Sequence, residues 1–358
     1  MKRKKILLLL IVVGLLTSSL ILLFLPFKQA KLDRIITIPY SEKIDQIDLI
    51  ADIEGASVTI CYNENSTMNL FTLSYSIRGK YSLISSLPSI SMRFNNFTLN
   101  SHLIVNFSFI LTSPILSEIT SADIILSINP TLRSNLSLHT SSNNLKLDTT
   151  NYMKKMFTNV NLSSTSGNIE VFFSQNCNLS GNLSLSTEYG AINLFIGQNC
   201  NLGGDLSLSS ISGSCNLLLE NNVSATNYIL LFTESGEITA NTSDITLVQT
   251  ENTWQFSTYT GNIHLNINQW SDPQGNLSII VSNLYGSTNF EMHLEANNIS
   301  SNISVNSSFG GTININPDHP GYYSSGTNLN SEAPHNPSNF DANIGTLSGN
   351  VDIYATRT

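Results

Sequence analysis

The amino-acid sequence predicts an all-β protein, a β-solenoid (β-helix) with coils of about 23–25 residues, preceded by one N-terminal transmembrane helix. Three features of the 358 residues predict this arrangement. An apolar run lies at the N-terminus, a glycine recurs at a nearly fixed spacing in the C-terminal part, and apolar residues alternate with polar ones on both sides of that glycine.

The N-terminal element is an uncharged, mostly apolar run, residues 6–27. As a helix rising about 1.5 Å per residue it is long enough to span the ~30 Å hydrocarbon core of a bilayer. The basic tail before it, residues 1–5, is expected to stay in the cytoplasm. A cleaved signal peptide is the alternative, but such peptides have a shorter apolar stretch, and Gln29-Ala30-Lys31 is a poor cleavage site. The run therefore predicts an uncleaved signal anchor, and both interpretations place the rest of the chain outside the cytoplasm.

A glycine in similar surroundings marks each repeat. The spacing between successive markers is 23–25 residues and widens to 39 residues before the last one. The markers are Gly167, Gly190, Gly213, Gly236, Gly261, Gly286, Gly310 and Gly349. Asn143 stands 24 residues before the first marker, and we expect it to replace glycine because asparagine also tolerates a positive φ. A fixed period of this length is typical of a repeat architecture.

Apolar residues stand seven and five positions before each marker, as Leu183 and Leu185 do before Gly190. The alternation resumes after the marker, for example at Ile192 and Leu194. A period of two predicts strands and excludes helices, so each coil should contain a strand, a turn and a second strand. A β-sandwich with regular hairpins would also explain the alternation, but it would not explain the fixed spacing.

The chain divides into four parts after the apolar run. Residues 28–135 alternate like strands without the repeat, and we expect an irregular β cap that covers the first coil. The solenoid repeats occupy 136–315. A stretch rich in Pro, Asn and Ser, 316–345, predicts a loop insertion that accounts for the wide spacing. Residues 346–358 then supply the last strand.

Charge excludes one class of partner. Charged residues make up 11% of the chain, and Arg357 is the only basic residue after Lys155. A protein that binds nucleic acid needs basic side chains to neutralise phosphates, so no nucleic-acid partner is expected.

The sequence predicts no catalytic, cofactor-binding or metal-binding residues. Acidic residues of the repeats, such as Glu170, Glu188 and Asp205, fall at different positions relative to their markers. Polysaccharide hydrolases need paired carboxylates on one face, and structural zinc or calcium sites need ligand spacings that are absent here. The chain is therefore expected not to be an enzyme, with a carbohydrate-active enzyme on a β-helix kept as an alternative.

The sequence contains candidate sites for two covalent modifications, N-glycosylation and a disulfide. Several asparagines in Asn-x-Ser/Thr triplets fall at outward positions of the repeat and are candidates for glycosylation. These are Asn135, Asn161, Asn178, Asn182, Asn222, Asn241 and Asn302. Cys177 and Cys200 lie 23 residues apart at one position of adjacent coils, which is within reach of a disulfide. Their inward position, taken by Val223 in the next coil, is also explained by small buried hydrophobic residues.

The segment INPTLRSNLSLHTSSNNLKL, followed by STSGNIEVFF and its later copies, resembles the putative adhesin family of bacterial and archaeal surface or envelope proteins. In that family a phrase ending in proline leads into a strand and then into the first S-G-D-I turn. Asn129-Pro130 matches the proline phrase, and Asn143-Asn144 stands where the family has Gly-Asp or Gly-Asn. The resemblance covers residues 36–358. It implies a β-helical fold and a surface role, with no shared catalytic residues.

Together these features predict a single-pass protein of the cell membrane whose C-terminal part is extracytoplasmic. It would act as an adhesin-like structural or interaction surface without catalysis, and its partners would be the membrane and cell-surface glycans or proteins. An envelope sensor or assembly component is a further alternative, although the predicted topology leaves no cytoplasmic domain for signalling.

Overall fold

The computed structural model describes residues 27–62, 68–82, 88–114, 117–152, 154–225, 228–247, 249–295, 299–307, 312–315, 323–325, 328–331 and 338–357. Within these residues the chain is all-β, as predicted. The described residues contain no helix that is long and apolar enough to cross a membrane. The predicted transmembrane helix, residues 6–27, lies outside the described residues except for Phe27, which begins the first strand.

The strands of the described residues fall into an N-terminal, a middle and a C-terminal group. The N-terminal strands are β1 Phe27–Pro39, β2 Gln46–Glu54, β3 Ser57–Tyr62, β4 Asn69–Ser82, β5 Ser89–Leu99, β6 His102–Thr112, β7 Ser117–Ile128, β8 Arg133–Thr140 and β9 Leu145–Asp148. The middle strands are β10 Met156–Ser164, β11 Ile169–Phe173, β12 Asn178–Leu179, β13 Leu183–Thr187, β14 Ile192–Ile196, β15 Asn201–Leu202, β16 Leu206–Ser210, β17 Cys215–Leu219, β18 Ser224–Ala225, β19 Tyr228–Thr233, β20 Ile238–Ser243, β21 Thr246–Leu247, β22 Glu251–Thr258, β23 Ile263–Gln269, β24 Asn276–Asn283 and β25 Thr288–Leu294. The C-terminal strands are β26 Ile299–Ser307, β27 Ile313–Ile315, β28 Tyr323–Ser325, β29 Asn328–Ser331, β30 Ser338–Thr346 and β31 Val351–Arg357.

Two large sheets contain these strands. The first, called sheet I, has 13 strands in the order β1-β4-β7-β3-β9-β11-β14-β17-β20-β23-β25-β31-β27. The second, called sheet II, runs β5-β6-β2-β8-β10-β13-β16-β19-β22-β24-β30-β26. A branch of short strands, β12-β15-β18-β21, starts from β10. From β9 to β25, corresponding strands of successive repeats pair in parallel in sheet I.

The pairing is in register. Ile169 lies opposite Ile192, Ile192 opposite Cys215, and Cys215 opposite Ile238. Because a strand alternates its side chains between two faces, this register keeps apolar residues on one side of every repeat. Their side chains form one buried cluster that runs through both sheets. Its largest fully buried member is Trp254.

The marker glycines are required for a different reason from the one expected. Among the described glycines a positive φ occurs at Gly55, at 84°, and not at the markers. Asn143 does not have a positive φ either. The turns instead stack so closely that a Cβ at Gly213 would lie 1.7 Å from the Gly190 carbonyl oxygen. Glycine is therefore needed at the markers because the backbone of the neighbouring repeat leaves no room for a side chain.

A second column of turns does use positive φ. Asn176, Asn199 and Asn222 have φ values of 60°, 57° and 60°, and Asp244 has 48°. The amide of Asn199 donates to the Asn221 carbonyl oxygen and that of Asn222 to the Asp244 carbonyl oxygen. Asparagine and aspartate adopt this conformation more easily than other residues, so they suit the corner before each short strand.

The N-terminal end departs from the order of the chain. β2 and β3 form the first repeat-like unit, yet β2 lies between β6 and β8, and β3 lies between β7 and β9. Antiparallel strands follow outside this unit, with β5 on β6 and β4 on β7. β1 pairs with β4 and forms the edge of sheet I.

The C-terminal end corrects the predicted loop insertion, 316–345. This segment contains β28, β29 and most of β30. β30 lies between β24 and β26, and β31 between β25 and β27. The last repeat is thus inserted between the two repeats that precede it in the chain. Phe340, Ala342 and Ile344 alternate in β30 and are buried, so the strand forms despite the Pro- and Asn-rich sequence before it.

Candidate interaction surface

A polar groove crosses the outer face of sheet II at its N-terminal end. It has a volume of about 440 Å³ and is lined from five strands, β5, β6, β2, β8 and β10. We call it the N-terminal groove. The antiparallel strand β5 extends the sheet here beyond the parallel repeats and contributes one side of the groove.

Two rows of outward side chains line the groove. The first row follows the register of the five strands: Asn95, Asn106, Ile50, Ser137 and Asn161. The second row lies two residues along each strand: Arg93, Ser108, Asp52, His139 and Ser163. The rows combine amides, hydroxyls and opposite charges with one apolar side chain, Ile50, which is 51% exposed.

The side chain of Asn106 contains an unsatisfied hydrogen-bond acceptor. Its Oδ1 is buried and has no hydrogen-bond partner among the described residues. A buried acceptor without a partner costs about 1–3 kcal/mol, so a donor brought by a ligand or by water stabilises it. Asn106 is one of the residues that line the groove.

The second row also contains the residue types of a hydrolytic triad. His139 Nδ1 lies 2.9 Å from Ser163 Oγ, and Asp52 is the register partner of His139. Within the described parts of the chain, however, Asp52 makes no hydrogen bond to the His139 ring. A triad needs the acid to orient the base, and the described residues do not show that contact between Asp52 and His139. The described residues also contain no group of three or more His, Cys, Asp or Glu that could hold a metal ion.

The predicted glycosylation sites all lie on the outside of the sheets. Asn161, Asn182, Asn222, Asn241 and Asn302 are exposed. The other two, Asn135 and Asn178, are half-buried and already hydrogen-bonded through their side chains, to Asp48 and Asn201 respectively. Asn161 also lines the groove, so a sugar there would compete with a ligand for the same surface.

Cys177 and Cys200 lie together inside the molecule. They directly precede β12 and β15, which pair in parallel, and both side chains are buried. The structure contains both as free thiols, and the Cys200 thiol donates to the Ser174 carbonyl oxygen at 2.9 Å. The geometry thus brings together the two cysteines that the repeat spacing aligned.

Lys155 occupies the same column one repeat earlier. The Asn178 amide donates to its carbonyl oxygen, as the Asn201 amide does to that of Cys177. The Lys155 side chain is fully buried, and its Nζ lies 4.4 Å from the centre of the Tyr62 ring. It donates to the carbonyl oxygens of Pro130 and Leu132. Burial lowers the pKa of the Lys155 ammonium to about 7.

The groove and the buried lysine were not predicted from the sequence. The groove depends on the antiparallel pairing of β5 with β6, and the repeat pattern does not predict this pairing. Lys155 could have been found, because it stands 22 residues before Cys177. This distance is close to the 23 residues that separate the inward positions Cys177 and Cys200. Its charge made a buried position the less expected choice.

No family model matches the sequence, and no curated protein matches it. Solved structures are similar at low identity. A putative adhesin from Parabacteroides distasonis aligns at 12% identity and a TM-score of 0.38, over 90% of this chain and 97% of the other. A putative adhesin from Bacteroides fragilis aligns at 10% identity and a TM-score of 0.32, over 90% and 97%. A putative cell adhesion protein from Clostridium sporogenes aligns at 10% identity and a TM-score of 0.28, over 92% and 100%. All three alignments cover at least 90% of this chain.

Proposed function

We propose that this protein is a membrane-anchored, adhesin-like surface protein. Its repeats wind into a β-solenoid that presents the N-terminal groove outside the cytoplasm, where the groove binds cell-surface glycans without catalysis. The observation that carries this proposal is the groove itself, with its two polar rows and the unpartnered Asn106 acceptor.

The chemistry of the groove suits a ligand rich in hydroxyl groups. A hydroxyl both donates and accepts hydrogen bonds, so it can accept from the Arg93 guanidinium or donate to the Asp52 carboxylate. Ile50, exposed in the middle of the first row, offers an apolar contact for the C–H face of a sugar ring. The groove is open to solvent along a sheet face, which suits a chain rather than a small buried molecule.

The solenoid part of the proposal is supported by the parallel pairing of repeats in both sheets. Each middle repeat contributes one strand to sheet I and at least one to sheet II, and each strand pairs with its counterpart one repeat away. A chain that winds around a common axis produces this pairing, because successive turns place corresponding residues side by side.

Attachment to a membrane is supported by the apolar run, 6–27, and by the charge next to it. Lys31 and Arg78 are register partners at the end of the molecule where the described chain begins, and Lys80 lies beside them. Basic side chains near an anionic lipid surface are attracted to it. The acidic repeats would then point away from the membrane.

The glycan proposal is tested by measuring how the full chain, solubilised in detergent micelles, binds to immobilised polysaccharides. The panel contains neutral, acidic and basic polysaccharides. We expect one class to bind, and we expect the double variant Asp52→Asn/Arg93→Gln to weaken that binding at least ten-fold, since it removes both charges from the second row. Asn106→Leu should weaken the same interaction.

A matched control removes the same two charges from the opposite side of the molecule. Lys146 and Glu170 are register partners on the outer face of sheet I, so Lys146→Gln/Glu170→Gln changes no groove residue. Its binding should equal that of the unaltered chain. Equal losses in both double variants, or no binding to any polysaccharide, would contradict the proposed role of the groove.

A further inference from the structure

Cys177 and Cys200 are placed as a disulfide requires. Asn178 and Asn201, the residues after them, are register partners in parallel strands. The Asn201 amide donates to the Cys177 carbonyl oxygen at 2.8 Å. Adjacent strands lie about 4.8 Å apart, and this separation falls within the roughly 4.4–6.8 Å between Cα atoms that disulfides span.

Both sulfurs have close polar neighbours in the folded protein. The Thr149 and Ser174 hydroxyls each lie 3.7 Å from Cys177 Sγ, and the Cys200 thiol donates to the Ser174 carbonyl oxygen at 2.9 Å. The neighbouring Cys200 side chain, together with the two hydroxyls, lowers the pKa of the Cys177 thiol, and the Cys177 side chain raises the pKa of Cys200. The opposite shifts are consistent with two side chains that lie next to each other.

The other two cysteines provide an internal comparison. Cys215 is buried between Ile192 and Ile238 of the neighbouring strands, and burial raises its pKa to about 12. Cys61 is half-buried, and its Sγ lies 3.4 Å from Ser127 Oγ. All four cysteines are described, and Cys177 and Cys200 are the two that occupy one position of adjacent repeats.

We propose that Cys177 and Cys200 form a disulfide that covalently links two adjacent repeats. The statement that it forms outside the cytoplasm rests on the proposed function, whereas the pairing rests on geometry alone. The oxidant is a small-molecule disulfide, such as glutathione disulfide. The Cys177 thiolate attacks one of its sulfurs, the S–S bond of the oxidant breaks, and one glutathione leaves as a thiolate.

The Cys200 thiol then loses its proton to solvent, and its sulfur displaces the second glutathione from Cys177. Two protein thiols are oxidised by two electrons, and one glutathione disulfide is reduced to two glutathione thiols. Because Cys177 is 4% exposed and Cys200 1% exposed, the exchange takes place while the repeats are still assembling. In the folded protein the bond is shielded, and it should resist reduction by dithiothreitol until the chain is denatured.

The test refolds the full chain in a buffer of reduced and oxidised glutathione. Free thiols are then blocked with N-ethylmaleimide in denaturant, and the intact mass is measured. We expect two of the four thiols to escape blocking and all four to be blocked after reduction. Trypsin cannot locate the link, because no Lys or Arg occurs between Lys155 and Arg357. Cleavage after Glu170, Glu188 and Glu220 separates the two cysteines, and the linked product should join peptides 171–188 and 189–220.

Two variants assign the link. Cys200→Val copies the residue that the next repeat has in this column, Val223, and should abolish the linked product. Cys215→Val removes the other thiol of peptide 189–220 and should leave the linked product intact. A folded chain with four blockable thiols after oxidative refolding, or a link that survives in Cys200→Val, would overturn the pairing.

A separate measurement tests the compartment in which the disulfide forms. The full chain is isolated from its own cells after rapid acid quenching, and the oxidation state of its thiols is measured. A linked pair there supports formation outside the cytoplasm. Reduced thiols in cells, together with a link in the refolded chain, would contradict the exported location and leave the pairing standing.

Discussion

The middle of the molecule and its two ends are built on different topologies from similar strands. In the middle, from β10 to β23, each repeat lies beside the repeats that precede and follow it in the chain. At each end, one unit is inserted between two others: β2 and β3 near the N-terminus, and β30 and β31 at the C-terminus. The middle is therefore modular, whereas each end depends on contacts between segments that are distant in sequence.

The difference shows how such a stack is protected against fraying. A terminal repeat in a simple stack has one neighbour and can detach from it alone. Here β30 has parallel neighbours on both sides, and the outer neighbour, β26, is covered in turn by the antiparallel strand β29. The C-terminal residues cannot leave without disrupting two ladders in each sheet. Covering the outer strands also removes edges that could pair with another molecule.

The largest effect should come from removing an inserted end instead of a middle repeat. Deletion of 338–358 removes β30 and β31 and leaves the strands on both of their sides unpaired. We therefore expect that the protein aggregates and no longer unfolds cooperatively. Deletion of 191–213, one whole middle repeat that ends at its marker, restores the same spacing and should leave a folded chain. Urea unfolding followed by circular dichroism, with size-exclusion chromatography, separates these outcomes. Equal behaviour of the two deletions would contradict the modular character of the middle.

Lys155 lies where the irregular N-terminal end meets the middle repeats, and its burial should make stability depend on pH. Its pKa is lowered from 10.5 to about 7 in the folded protein. Between these pH values the unfolded chain binds a proton that the folded chain does not, so stability rises with pH from about 7 to about 10.5 and is flat below 7. At 1.36 kcal/mol per pKa unit the total rise is about 5 kcal/mol.

The urea midpoint measured between pH 7 and pH 10 checks this dependence. Lys155→Met keeps the length of the side chain and removes the titrating group, so the rise should disappear in this variant. Lys154→Met, at the exposed neighbouring position, should retain it. A parallel slope in Lys155→Met would mean that other groups cause the pH dependence.

A marker glycine in the middle should tolerate no side chain. Gly213→Ala places a Cβ 1.7 Å from the Gly190 carbonyl oxygen, and separating the two turns should cost about 3–5 kcal/mol of unfolding free energy. Gly345→Ala is the matched substitution in the inserted strand β30, where the nearest atom, Val281 O, lies 3.7 Å from the added carbon. We expect this change to alter stability by less than about 1 kcal/mol. Similar urea midpoints for the two variants would show that the stacked turns can separate at little cost.

The smallest expected effect concerns the buried hydroxyl that stands three residues before most markers; Asn283 has this place before Gly286. Thr233 Oγ1 accepts from the Gly236 amide at 2.9 Å and donates to the Gly213 carbonyl oxygen at 3.0 Å, which joins two repeats. Thr233→Val keeps the shape and removes both bonds, so it should cost about 2 kcal/mol. In the C-terminal insertion, Thr346 Oγ1 accepts from the Gly349 amide at 2.8 Å, and Thr346→Val should cost about 1 kcal/mol. Thermal unfolding of both variants measures the difference, and a larger loss for Thr346→Val would reverse the assignment.

The sequence predicted the class of fold and the inward positions of the middle repeats because period and alternation are local signals. Leu183, Leu185 and Ile192, for example, are all buried as expected. It also contained a turn signal that was overlooked, since Thr187, Ser210 and Thr233 each stand three residues before a marker and bond its amide.

The order of units at the ends could not be predicted in the same way. Ala342 and Ile344 stand seven and five residues before Gly349, as in every other repeat, so the presence of β30 was detectable. Its place between β24 and β26 was not, because the in-register pattern of apolar residues is nearly the same for every neighbour. The candidate site was missed for a related reason, since the groove depends on strands far apart in sequence.

The position of β30 and β31 has a consequence for biosynthesis. Residues 338–357 are synthesised after the strands between which they lie, among them β24 and β26. The repeats on either side can therefore reach their final pairing only after these residues have left the ribosome. A truncation before residue 338 would leave that place in the stack unfilled.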